Sequence, residues 1–143
     1  QEHVLDLGAV RVRIIAMGYN HTPGDQAFFV EPDAILFSGD VVMTAMPNVG
    51  GSTFKQWLNS QDRFEKLQPK RIVPSHGPIG DLSLVTNYRT YLTTIQRRVA
   101  ELKKQGRTID DTTATVTADL QPKYPTAGGR LAGTIRAAYN EAP

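Results

Sequence analysis

A chain of 143 residues, 40% hydrophobic and 21% charged, has the balance of an ordinary globular protein and the size of one domain at most. No run approaches the ~18 apolar residues of a membrane-spanning helix, and a net charge of +2 spread over scattered cations gives no nucleic-acid footprint. With no cysteine there are neither disulfides nor thiolate ligands, and the compartment, periplasmic or cytoplasmic, stays open.

The chain opens on Gln1-Glu2-His3, without methionine or leader, and runs almost directly into a strand pattern, which suggests a piece excised from a longer protein. Residues 3–7 and 10–17 read as two strands around a turn at Gly8, with Val10, Val12 and Ile14 alternating against Arg11 and Arg13. His3 has no turn or partner signal and reads as a surface histidine. Residues 26–30 and 34–37 are two more strands joined by the turn Glu31-Pro32-Asp33. Residues 41–52, with Pro47 and Gly50-Gly51, lack periodicity and read as a loop. An amphipathic helix is expected over 53–67, its apolar face formed by Phe54, Trp57, Leu58, Phe64 and Leu67. Arg71-Ile-Val-Pro74 is a short buried-strand signal that ends in Ser75-His76-Gly77-Pro78. Asp81 is placed to cap a long helix running to about residue 105, with a stripe of Val85, Tyr88, Leu92, Ile95, Val99 and Leu102. Its cations Arg89, Arg97, Arg98, Lys103 and Lys104 read as a solvated outer face. Thr108 begins a further helix that the β-branched run 112–117 weakens; 122–129 is a turn-rich break, and 130–140 a terminal helix.

Three residues of metal-ligand type stand at strand ends. His21 precedes the strand at 26–30 and Asp40 follows that at 34–37, so an antiparallel pairing would bring both to one edge of the sheet. His76 sits just beyond the strand at 71–74. Two imidazoles and a carboxylate are donors that Zn²⁺ and similar metals take. Singly each has a plainer reading: His21 satisfying a turn, Asp40 capping a backbone, His76 buried and hydrogen-bonded. Three at three strand ends favour a shared site. Asp25 reads as the residue that fixes the His21 loop through its side chain, and Ser38 and Ser75 lack a general base of the nucleophilic kind.

The segments His21-Thr-Pro-Gly-Asp25, Leu36-Phe-Ser-Gly-Asp40 and Val73-Pro-Ser-His76-Gly-Pro78, in this order and spacing, resemble the later metal-ligand motifs of the metallo-β-lactamase superfamily. The resemblance covers residues 10 to about 100. It implies an α/β (α+β) fold that is half of an αββα sandwich, a mostly antiparallel sheet with helices on one face, followed by a helical extension from about residue 107. It also implies His21 as a ligand of a first metal, Asp40 as the bridging, catalytic carboxylate and His76 as a ligand of a second. The family's His-x-His-x-Asp-His motif, which supplies the other ligands, is absent, so the chain resembles the C-terminal half of such an enzyme.

The expectation is a portion of a zinc-dependent hydrolase, with one or two Zn²⁺ in the intact parent and a metal-activated water attacking an ester, thioester, amide or lactam of a small-molecule substrate. The loop at 41–52 would touch that substrate, and the isolated chain would be inactive. The alternative is a non-catalytic half-fold that serves association or regulation. Half a sandwich leaves its inner sheet face bare, so the chain is expected as a homodimer or joined to its own N-terminal half, with no nucleic-acid or membrane partner.

Overall fold

The computed structural model describes residues 1–43, 49 and 51–143. Four strands follow in antiparallel order, β1 (Glu2–Asp6), β2 (Arg11–Gly18), β3 (Asp25–Glu31) and β4 (Ile35–Gly39). Helix α1 (Phe54–Leu67) then carries the chain back to β5 (Arg71–Pro74), which pairs parallel to β4 and closes one five-stranded sheet in the order β1-β2-β3-β4-β5. Helices α2 (Ser83–Lys104), α3 (Ile109–Leu120) and α4 (Arg130–Glu141) complete the described chain, with a 3₁₀ turn at Pro125–Ala127. This is the expected α+β class, a mixed sheet with four helices among the described residues. One detail differs: Ala34, read from sequence as the start of a strand, lies in the turn with φ of 55°, and its carbonyl takes the Lys70 N–H at 2.8 Å.

The strand alternation divides the sheet into two unlike faces. Ile15, Met17, Ala27, Phe29, Leu36 and Ile72 are buried and share one core with Phe54, Trp57 and Phe64 of α1 and Val85, Tyr88, Leu92, Ile95 and Val99 of α2. Phe28 and Phe37, one residue out of step with this set, are about 40% exposed. The register lines up Ile14, Phe28, Phe37 and Val73 across the other face, and Leu5, Val12, Val30 and Ile35 in the row beside it. An apolar surface therefore runs over all five strands on the side away from the core.

Hydrogen bonds at both ends explain where α1 begins and stops. Thr53 Oγ1 takes the Gln56 N–H at 3.1 Å, and the Glu141 carboxylate takes the Phe54 N–H at 2.8 and 3.1 Å. Gln68, in the left-handed conformation, ends the helix. Leu58 and Leu67 are only partly buried; the buried stripe is Phe54, Trp57, Ser60, Gln61 and Phe64. Asp81 stands one residue before the N-cap of α2, which is Leu82, and from there its carboxylate takes the Ser83 N–H at 2.8 Å. Those hydrogen bonds to Ser83 hold its carboxyl below the usual carboxylate range.

The cations of α2 are less of a solvated face than their spacing suggests. Arg89 pairs with Asp62 and Glu65 of α1, Arg98 with Asp119 of α3 at 3.0 Å, and Lys103 donates to the carbonyls of Tyr139 and Ala142 at the end of α4. Each cation seats a different neighbouring helix, while Arg97 and Lys104 stay exposed. The β-branched run does not stop α3, because Thr112, Thr113 and Val116 are buried and packing outweighs propensity.

Candidate metal centre

All three ligand-type residues lie at one end of the sheet. His21 is on the connection from β2 to β3, Asp40 immediately follows β4 and His76 follows β5 by two residues. Because β4 and β5 run parallel and pair Gly39 with Pro74, their ends leave the sheet side by side. The Ser75 N–H bonds to the Gly39 carbonyl at 3.3 Å. Asp40 Oδ1 then accepts the Ser75 hydroxyl and lies 3.4 Å from His76 Nε2. The His76 side chain is 70% exposed and that of Asp40 32%, so the pair opens to solvent.

His21 sits on a loop with its own internal hydrogen bonds. Asp25 takes the N–H groups of Asn20, His21 and Thr22 at 3.2, 2.6 and 3.0 Å, and the Thr22 hydroxyl at 2.6 Å. That is the loop-fixing role its sequence suggests. The His21 side chain stays exposed, and among the described residues no group of three His, Asp, Glu or Cys side chains converges as a metal cage. Of the expected substrate loop, residues 44–48 and 50 lie outside the described residues; Val41, Val42, Met43 and Val49 are buried.

The floor under this end is aromatic. Trp57 and Tyr88 are fully or almost fully buried, with ring centroids 5.7 Å apart. Burial raises the Tyr88 hydroxyl well above its ordinary pKa, with Tyr91 and the nearby Asp40 charge adding to the effect. Burial likewise lifts Tyr91 to about 12.

Gly18 illustrates how tightly the His21 loop meets α1. Its φ is +77°, and a β-carbon there would lie 3.0 Å from Gln56 Nε2, which donates to the Met17 carbonyl at 2.6 Å. Four polar residues escape the sequence reading: Ser75 as the donor to Asp40, and Asn20, Ser60 and Gln61 beneath the loops. Ser60 and Gln61 do leave a trace in the sequence, since they occupy the i+3 and i+4 positions of a stripe set by Trp57 and Phe64.

The donors fit a divalent metal in kind, an imidazole nitrogen and a carboxylate oxygen at an open edge, and fall short in number. No family model matches the sequence, and no curated protein does. Solved structures do match. A metallo-β-lactamase family protein from Thermus thermophilus is 20% identical with a TM-score of 0.67, over 96% of this chain and 45% of that one. A metallo-β-lactamase from Pontibacter korlensis is 24% identical with a TM-score of 0.57, over 65% of this chain and 46% of its own. An archaeal superfamily member from Sulfolobus tokodaii is 22% identical with a TM-score of 0.54, over 64% of this chain and 37% of its own. The chain thus spans less than half the length of each of these three structures.

Proposed function

Since the chain carries part of the metallo-β-lactamase fold, we propose that it supplies Asp40 and His76, together with His21, to the metal centre of a hydrolase whose remaining ligands come from outside these residues. The observation that carries this reading is the Asp40–Ser75–His76 cluster, created by the parallel pairing of β4 and β5 at the open end of the sheet. Zn²⁺ is the metal expected there. When bound, such a metal brings the pKa of its water down to about 7 and polarises the carbonyl or phosphoryl oxygen of a substrate. Asp40 would hold its carboxylate toward the centre with Oδ1 steadied by the Ser75 hydroxyl, and His76 would present Nε2 from the same side. His21 would face them from a loop that Asp25 keeps in one shape.

Few donors in one chain mean weak binding by that chain alone, because a catalytic zinc takes three protein ligands of its own. Elemental analysis of the purified 143-residue protein after dialysis against a chelator is expected to find far less than one zinc per chain. Stoichiometric, chelator-resistant zinc would contradict the divided site.

The apolar open face supports a second layer. The occupant proposed is the preceding half of the sandwich, in keeping with a chain that spans under half of each of the three structures named above. Ile14, Phe28, Phe37 and Val73, flanked by Leu5, Val12, Val30 and Ile35, form a contiguous apolar face rather than the singly scattered apolar residues of an ordinary monomer surface. Light scattering over a dilution series is expected to show association, with mass spectrometry identifying a co-purifying N-terminal fragment or, failing that, a self-paired dimer of this chain. A folded 15.7 kDa monomer at high concentration would refute the half-sandwich. The same face also suits a non-catalytic association module; a His-x-His-x-Asp-His motif upstream in the reading frame would decide for the enzyme.

A further inference from the structure

Two consecutive residues of α1 reach the two loops that carry the proposed ligands. Ser60 Oγ donates to Asn20 Oδ1 at 2.8 Å, and Gln61 Nε2 donates to the Val41 carbonyl at 3.2 Å. Asn20 directly precedes His21, and Val41 directly follows Asp40. None of the four residues is more than 1% exposed. Polar groups buried this deeply are costly unless bonded, so these contacts define where the loops sit. The anchorage continues on both sides. Asn20 Nδ2 donates to the Met17 carbonyl at 3.1 Å, the same carbonyl that receives Gln56 Nε2, and Ser38 Oγ donates to the Val42 carbonyl at 2.8 Å.

We propose that Ser60 and Gln61 are positioning residues that fix the separation between His21 and the Asp40–His76 pair. Neighbouring residues of one helix cannot shift relative to each other, since each is set by the same backbone ladder about 1.5 Å of rise apart. A loop tied to Ser60 and a loop tied to Gln61 therefore keep a constant distance. Asp25 shapes the first loop internally and Ser75 steadies the Asp40 carboxylate, but neither bond spans the gap between the loops. The role assigned to this pair rests on the metal-centre reading above and extends it to the residues that preform the site.

The test uses the ¹⁵N-labelled 143-residue chain, zinc chloride as the probe, and the ring nitrogens of His21 and His76, with His3 as a control. In the wild type both rings are expected to shift only at zinc well above the protein concentration, as the few donors of one chain require, while His3 stays behind. Ser60→Ala should move the His21 midpoint to about tenfold higher zinc and leave His76 nearer its original value, and Ser60→Thr, which keeps the hydroxyl, should restore the wild-type His21 midpoint. Gln61→Met should weaken the His76 response instead. Without metal, relaxation dispersion should show new exchange at the His21 and Thr22 amides in Ser60→Ala and at the Asp40 and Val41 amides in Gln61→Met. If both variants keep the core spectrum and the wild-type behaviour of both loops, the positioning role is wrong. Loosened loops in the metal-free arm uphold the positioning role even where the wild type shows no zinc response, and the metal reading is decided separately by Asp40→Ala and His76→Ala in the complete sandwich.

Discussion

Replacing Asp40 by alanine in the complete sandwich is expected to lower turnover by at least about 100-fold, close to 2.7 kcal/mol of transition-state stabilisation, while the fold survives. The size follows from what the carboxylate holds. Its Oδ1 accepts the Ser75 hydroxyl and lies 3.4 Å from His76 Nε2, so removing it leaves both neighbours without their common partner. The survival of the fold follows from exposure. With 32% of the side chain open to solvent, alanine leaves no cavity in the core. His76→Ala, at a side chain 70% exposed, should reproduce the loss with even less structural effect. Steady-state kinetics together with circular dichroism would check both variants. Activity within about threefold of wild type in either one would remove that residue from the site.

Trp57→Ala is expected to cost about 3–5 kcal/mol, a large share of the roughly 5–15 kcal/mol by which domains are usually stable. Trp57 is fully buried, leans on the Tyr88 ring and joins α1 to the core beneath the sheet. Its indole nitrogen has no hydrogen-bond partner among the described residues, so its contribution is packing. Trp57→Phe should for that reason cost much less, about 1–2 kcal/mol. Urea denaturation of both variants measures the difference. A loss below about 1 kcal/mol for alanine would mean that the α1 face is loosely packed.

The strands and helices are legible in the sequence because their burial follows local periods. Ala27, Phe29 and Leu36 fall on one side of a two-residue alternation, and Val85, Tyr88, Leu92, Ile95 and Val99 on one stripe of a helix. Asp25 is legible as well, since its partners lie within five residues. What escapes depends on pairings far apart in sequence. Ser60 meets Asn20 across 40 residues, Gln61 meets Val41 across 20 and Ser75 meets Asp40 across 35. A polar residue has the same appearance in the sequence whether it faces water or a buried carbonyl, and only its place in the Trp57–Phe64 stripe marks Ser60 and Gln61 as inward. The α2 cations mislead for the same reason. Arg89, Arg98 and Lys103 find their carboxylates and carbonyls on helices that no local pattern puts beside them.

The carboxylate of Glu141 bonded to the Phe54 N–H gives the molecule an order of assembly in time. The two residues are 87 positions apart, and a ribosome adding about 5–20 residues per second takes roughly 4–17 seconds to cover that distance. Through this interval α1 exists without the group that satisfies its first amide, and the loops anchored on Ser60 and Gln61 rest on an unfinished support. The open sheet, whose strands all precede α2, is meanwhile already synthesised. A nascent chain thus completes the strands of its apolar face before Glu141 can reach the Phe54 N–H, and the second layer proposed above would meet that face before the loops anchored on α1 have settled.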